Sequence, residues 1–375
     1  MTALWEGRKI IVCAGTGGVG KTTVSASIAV AAAASGLNTI VMTIDPARRL
    51  ANALGLDDFG NVEREIGPEM LEPYGVKLKA PLHVMMLDVK QTFDNMIHNM
   101  ASSPEARDLI LRNKIYQQFS TVLAGALEYA AVEMLYDVYA SGRYDLIVLD
   151  TPPSQNAIDF LEAPSKMINF IEQSSNQWFL KPSAIAGKLG LRLLDVGASI
   201  ISKTLGKMAG GETIKELSQF LVAFSDLYDG FQKRYDSVRS LMASDEVGFV
   251  LVTSTQANQR AAMRRFQNDL AAGGFKTRAV VVNRIRQVHY ETSAVQSAIK
   301  DIEDPLTAEE EAEISQALEQ EAYLAGQDQR GLQDLEGELT NIPVVRLPEL
   351  RLDAHDLESL SMLHQSFLNT EEPSS

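Results

Sequence analysis

Seven short apolar runs punctuate this chain: Lys9 to Ala14 (KIIVCA), Leu37 to Ile44 (LNTIVMTI), Leu82 to Leu87 (LHVMML), Asp145 to Leu149 (DLIVL), Val247 to Thr253 (VGFVLVT), Arg278 to Val282 (RAVVV) and Pro343 to Leu347 (PVVRL). They are rich in β-branched residues, and several are apolar without alternation. Strands buried on both faces read this way, and a parallel sheet is the usual setting for them. Between the first two runs lies Thr22 to Ser35, rich in alanine and stopped by Gly36, which reads as a helix. Strand, helix and strand in so short a span predict a right-handed βαβ unit. The fold class expected is α/β: a doubly wound, mostly parallel sheet of about seven strands with helices on both faces.

Two long stretches break this rhythm. Val89 to Ala140 and Ala157 to Asp245 carry helical periodicity and no strand signal. The second holds Trp178, Phe179, Ile185, Leu189, Leu193, Leu194, Ile200, Leu205 and Met208, with Gly187, Gly190, Gly197, Gly206, Gly210 and Gly211 scattered among them. Glycine is costly inside helices, so broken helices are expected there. The predicted organisation is an α/β domain whose first part is 1–156, with a helical insertion at 89–140, then a helical subdomain at 157–245, and a second part of the α/β domain at 246–370. Asp301 to Glu336 is acidic, with Arg330 as its one basic residue, and Ile314, Leu318 and Ala322 at helical spacing. A solvated surface insertion and a partner-docking helix both fit it.

Composition narrows the class. The 375 residues are 45% hydrophobic and 22% charged, as in an ordinary globular protein. A formal net charge of −15 argues against nucleic acid as a partner, because such proteins present a basic face. The single cysteine, Cys13, allows neither an intrachain disulfide nor a Cys-x-x-Cys metal site. The five histidines show no ligand spacing. With no signal-peptide pattern and no apolar stretch of membrane-spanning length, the expected location is the cytoplasm.

Chemistry concentrates at the strand ends. Gly15-Thr16-Gly17-Gly18-Val19-Gly20-Lys21-Thr22 matches Gly-x4-Gly-Lys-Thr, and it follows a strand and opens a helix. In that context backbone N–H groups curl around phosphates, with the helix N-terminus adding positive potential. Lys21 can reach the β- and γ-phosphates of ATP or ADP, and the Thr22 hydroxyl can ligate Mg²⁺. Asp150 ends the run DLIVLD, where a carboxylate would hold Mg²⁺ directly or through water. Thr151-Pro152-Pro153-Ser154 would form a rigid loop able to sense the γ-phosphate. Asp45, in Asp45-Pro46-Ala47-Arg48-Arg49, follows the second strand. It would orient or deprotonate an attacking water, or cap a helix that has proline at its first position.

The set GTGGVGKTT, TIDPARRL, VLDTPPS, VVVN and VRLPEL resembles the ArsA-type ATPases, which include the arsenite-pump ATPase and the targeting factor for tail-anchored membrane proteins, with MinD and ParA as relatives. The resemblance covers roughly residues 8–160 and 247–360 and is weak across the helical insertions. It implies that Gly17, Gly18, Val19, Gly20, Lys21, Thr22 and Thr23 bind phosphates. It implies that Lys21 and Asp45 serve catalysis, and that Thr22, Asp45 and Asp150 surround Mg²⁺. It also implies that Asn283 reads adenine and that Pro348 forms part of the adenine pocket. A dimer closed by ATP and opened by hydrolysis follows from it, and the 157–245 insertion falls where relatives bind a hydrophobic client.

Three departures qualify these expectations. Thr16 stands where the family carries a lysine that crosses to the other subunit's phosphates, so a paralogue could supply that lysine, Arg48 or Arg49 could replace it, or turnover could be slow. The cysteines that bind zinc or arsenite in relatives are missing. The chain matches one half of the two-half pump ATPase, so a second subunit, identical or paralogous, is expected. The insertion is not notably rich in methionine, and ordinary helical packing explains it about as well as a client groove. A nucleotide-dependent scaffold with little turnover is the competing reading.

Overall fold

The computed structural model describes residues 3–44, 50, 53–54, 62–114, 116–117, 126–151, 227–288, 290, 295, 297, 299, 306–339, 341–350 and 357–368. The expectations for Asp45 to Arg49, for Pro152 to Ser154, for the 157–226 part of the insertion and for the C-terminal tail lie outside the described residues.

Eight strands form one sheet: β1 (Ile10–Ala14), β2 (Thr39–Thr43), β3 (Arg64–Ile66), β4 (Leu82–Met86), β5 (Leu146–Asp150), β6 (Val247–Thr253), β7 (Thr277–Ile285) and β8 (Val344–Pro348). Their order is β3-β4-β2-β5-β1-β6-β7-β8. All neighbours run parallel except β3, which pairs antiparallel with β4. The seven predicted runs each became a strand. β3 is the addition to the expected seven: of its three residues Ile66 alone is buried, so it carries no apolar run. Its short, charged sequence suits a sheet edge, where a longer apolar strand would invite further pairing.

The helices are α1 (Lys21–Ser35), α2 (Pro68–Leu71), α3 (Val89–Met100), α4 (Pro104–Arg112), α5 (Ala126–Ala140), α6 (Tyr228–Met242), α7 (Ala257–Ala272), α8 (Ala308–Glu338), α9 (Leu357–Leu363) and α10 (Gln365–Leu368). Within 89–140 the described residues are mostly helical, in α3, α4 and α5, as the periodicity there predicted.

Two cores sandwich the sheet. The pleat sends alternate residues to opposite faces, so β1 gives Ile10, Val12 and Ala14 to one core and Ile11 and Cys13 to the other. The first core joins β1 to Phe93, Tyr129, Phe231, Phe266 and Leu335 from α3, α5, α6, α7 and α8. The second joins it to α1, α9 and α10. α1 is buried nearly all round, which is why it lacks an amphipathic stripe: small Ala and Ser side chains let it lie close to the sheet while α9 and α10 cover its outer side.

From Ala308 onwards the acidic segment forms one 31-residue helix, α8. Thr307 and Glu310 form a capping box at its start. Its two halves differ. Ala325, Asp328, Gly331, Leu332 and Leu335 are buried against the domain, whereas Ile314 and Leu318 are half-buried and Ala322 is exposed. The apolar contact therefore lies C-terminal to the predicted stripe.

Candidate functional site

β1 has β5 on one side and β6 on the other, so the sheet's connections diverge there, and the strand C-termini open a crevice at this switch point. The loop Gly15–Gly20 sits in it, between β1 and α1. Steric limits fix two of its glycines. A Cβ at Gly15 would lie 2.3 Å from the Val252 carbonyl oxygen, and one at Gly20 would lie 2.3 Å from Asn283 Nδ2. Gly20 also has φ 88° at the position that starts α1, a conformation that disfavours any side chain. Gly17 and Gly18 are exposed at the loop tip.

Lys21 is buried, and its ammonium donates to the carbonyl oxygens of Gly15 (2.9 Å) and Thr16 (3.0 Å). The cation is thereby held inside the loop that α1's first N–H groups face. Thr23, also predicted, is buried in the same turn. Thr22 Oγ1 donates to Asp150 Oδ2 at 2.8 Å, and Thr43 Oγ1 donates to the same oxygen at 3.0 Å. Asp150 is fully buried at the end of β5, between β1 and β2. A hydroxyl and a carboxylate in contact are hard oxygen donors, the kind Mg²⁺ takes, with waters and phosphate completing its shell. The residues present therefore fit this ion. Thr151 follows, and its hydroxyl donates to the Cys13 carbonyl at 2.8 Å. Cys13 itself is inaccessible, and burial pushes its thiol up to about 12.

Asn283 and Arg284 brace the other side of the loop. Asn283 Nδ2 donates to Val19 O at 2.9 Å, and Asn283 Oδ1 accepts from the Arg284 backbone N–H at 2.9 Å. Arg284 adopts φ 60° and donates from Nη1 to Gly18 O at 3.2 Å. Thr16 Oγ1 donates to Gln259 Oε1 on α7. Beyond these residues opens a cleft of about 140 Å³, lined by Gly18, Val19, Thr255, Gln259, Arg284 and Arg286, with Asp328 and Glu349 alongside. Pro348, paired with Ile285, directly precedes Glu349.

The structure thus gathers Gly17 to Thr23, Asp150, Asn283 and Pro348 around one crevice. Sequence reasoning did not identify Thr43, Thr255, Gln259, Arg286 and Asp328. Thr43 had a signal, since it is the polar end of an apolar strand beside Asp150. The others take part only through tertiary contacts. Among the described residues no group of three His, Cys, Asp or Glu side chains assembles, and no helix is long and apolar enough to cross a membrane.

The profile of a protein family described as anion-transporting ATPase matches residues 8–342. A protein of Aquifex aeolicus named as a putative arsenical pump-driving ATPase is 22% identical over 97% of this chain and 80% of its own length. An uncharacterized protein of Streptomyces coelicolor is 26% identical over 74% of the chain and 62% of its own length. The Escherichia coli protein named arsenical pump-driving ATPase is 25% identical over 89% of the chain, which spans 50% of that longer protein.

Proposed function

Because the chain belongs to the anion-transporting ATPase family, we propose that it binds Mg-ATP in the Gly15–Thr22 loop and works as a nucleotide-driven dimeric switch. The observation that carries this reading is the joint placement of three groups: the Lys21 ammonium inside the glycine loop, the Thr22 hydroxyl, and the buried Asp150 carboxylate that accepts from it. A charged ammonium and backbone N–H groups neutralise phosphate oxygens, and this is most of what a protein contributes to phosphoryl transfer. Thr22 and Asp150 would hold Mg²⁺, with Asp45 near it; when bound, the ion offsets charge on the phosphates. Asp45 would orient the attacking water. Asn283, Pro348 and the cleft beside them would take the nucleoside.

The second subunit is either another copy or a lysine-bearing paralogue, and a hydrophobic protein segment would be the client of the 157–245 insertion. Arsenite, implied by the relatives' names, fits poorly. Thiophilic ions need thiolate ligands, and Cys13 is buried and held as a thiol.

A phosphate-release assay on the pure chain tests the catalytic part. Slow, Mg²⁺-dependent release that Asp45→Asn abolishes is expected; release that survives Asp45→Asn contradicts it. The competing reading, a scaffold held together by nucleotide with little turnover, is favoured by one contact. Thr16, in place of the family's lysine, spends its hydroxyl on Gln259 of its own chain.

A further inference from the structure

Asp328 is an unexpected residue to find buried in the middle of a helix. Aspartate is a poor helix former, and its carboxylate leaves water only where partners replace the lost solvation. Here both oxygens have them. Oδ1 accepts from the Thr255 hydroxyl, in the turn between β6 and α7. Oδ2 accepts from the Arg286 backbone N–H at 3.1 Å and from Arg286 Nη1 at 3.4 Å, just past β7. Arg286 Nε in turn meets Glu349 Oε2 at 3.0 Å, just past β8. One carboxylate on α8 thus ties together the three segments that wall the cleft beside the phosphate loop. The fit of α8 against the first wall is close: a Cβ at Gly331, one helical turn on, would lie 2.5 Å from the Thr255 carbonyl oxygen. Arg260 Nη1 reaches across to Gly331 O at 2.9 Å.

We propose that Asp328 is the positioning residue of the nucleoside side of the site: through Thr255 and Arg286 it sets the cleft's shape, and with it the grip on base and ribose, while leaving the phosphates to the glycine loop. This rests on the nucleotide reading above. It gives the long acidic helix a second role besides packing, as a structural part of the nucleotide pocket.

The test compares Mg-ATP with Mg-tripolyphosphate, which shares the phosphates and lacks the nucleoside, by calorimetry on the full chain. The wild type should bind ATP the more tightly. Asp328→Asn keeps the size of the side chain and removes the charge that holds Arg286. It should weaken ATP by about tenfold, the equivalent of one charge-assisted hydrogen bond, and leave tripolyphosphate within about twofold. Thr255→Val removes the other partner while keeping Asp328 in place, so it should shift the same ratio by a smaller factor, and it carries the test if Asp328→Asn does not fold. Equal losses for both ligands would make Asp328 a general structural residue and overturn the proposal, as would no loss for either. A wild type that binds ATP no better than tripolyphosphate would also overturn it while leaving the phosphate-loop reading standing. A wild type that binds neither ligand would refute that reading itself.

Discussion

At position 16 the loop carries a threonine whose hydroxyl donates to Gln259. Lys21 reaches the carbonyls of Gly15 and Thr16, so the loop closes on a cation with or without a second lysine. In the proposed dimer a lysine at 16 would add charge available to the second subunit, and a hydroxyl bonded to Gln259 adds none. If that charge is the missing element of turnover, Thr16→Lys should raise single-turnover phosphate release by at least about tenfold, a modest part of what a trans-acting cation can supply. An unchanged rate would mean that the charge comes from elsewhere or is not needed. Much of this was legible from the residues alone. The glycine spacing, Lys21, Thr22 and Asp150 announce themselves because each must stand at a fixed place relative to a strand end. Asp328 did not, because one carboxylate in an acidic run looks like its neighbours until Thr255 and Arg286 are seen to meet it.

At the level of elements, the loop and α1 depend on backbone that only glycine supplies. Gly20→Ala places a methyl group against the buried Asn283 amide and in a left-handed conformation. The cost expected is about 1–2 kcal/mol of stability, together with weakened nucleotide binding, read from a denaturant titration and a nucleotide titration. A second element-scale feature joins α5 to α6. Glu133, nearly fully buried, accepts from Arg234 Nε at 2.6 Å, with Asp137 on the guanidinium's other side. Burial pushes the Glu133 carboxyl up to about 7 in spite of Arg234. The folded chain then holds this proton where the unfolded chain has released it, so the group's contribution to stability falls as pH rises from 4.5 towards about 7 and is level above. Glu133→Gln cannot lose that proton. The difference in Tm, mutant minus wild type, should therefore climb across this window; a flat difference contradicts the assignment. Strand runs were readable at this scale because burial on both faces leaves few polar positions, as in β6, where Thr253 at the end is the one polar side chain. β3 and the packed half of α8 were not, because a three-residue edge strand has no period and the apolar side of α8 is set by what it meets.

At the scale of the molecule, the sheet explains why the sequence motifs, hundreds of residues apart, belong to one site. Parallel order brings the C-termini of β1, β2, β5 and β7 to the same edge, and each contributes a residue there: the glycine loop, Thr43, Asp150 and Asn283. α8 closes the far wall. The described strands thus converge on one crevice, which we propose holds Mg-ATP through Lys21. Calorimetric titration of Mg-ATP into the wild type and into Lys21→Ala tests it directly. The expected result is one nucleotide per chain for the wild type and an affinity at least about tenfold weaker for the variant, since charge-assisted bonds to phosphate contribute on the order of 1.5–3 kcal/mol. A wild type that takes up no nucleotide, or a variant that binds as tightly as the wild type, would contradict that assignment of Lys21.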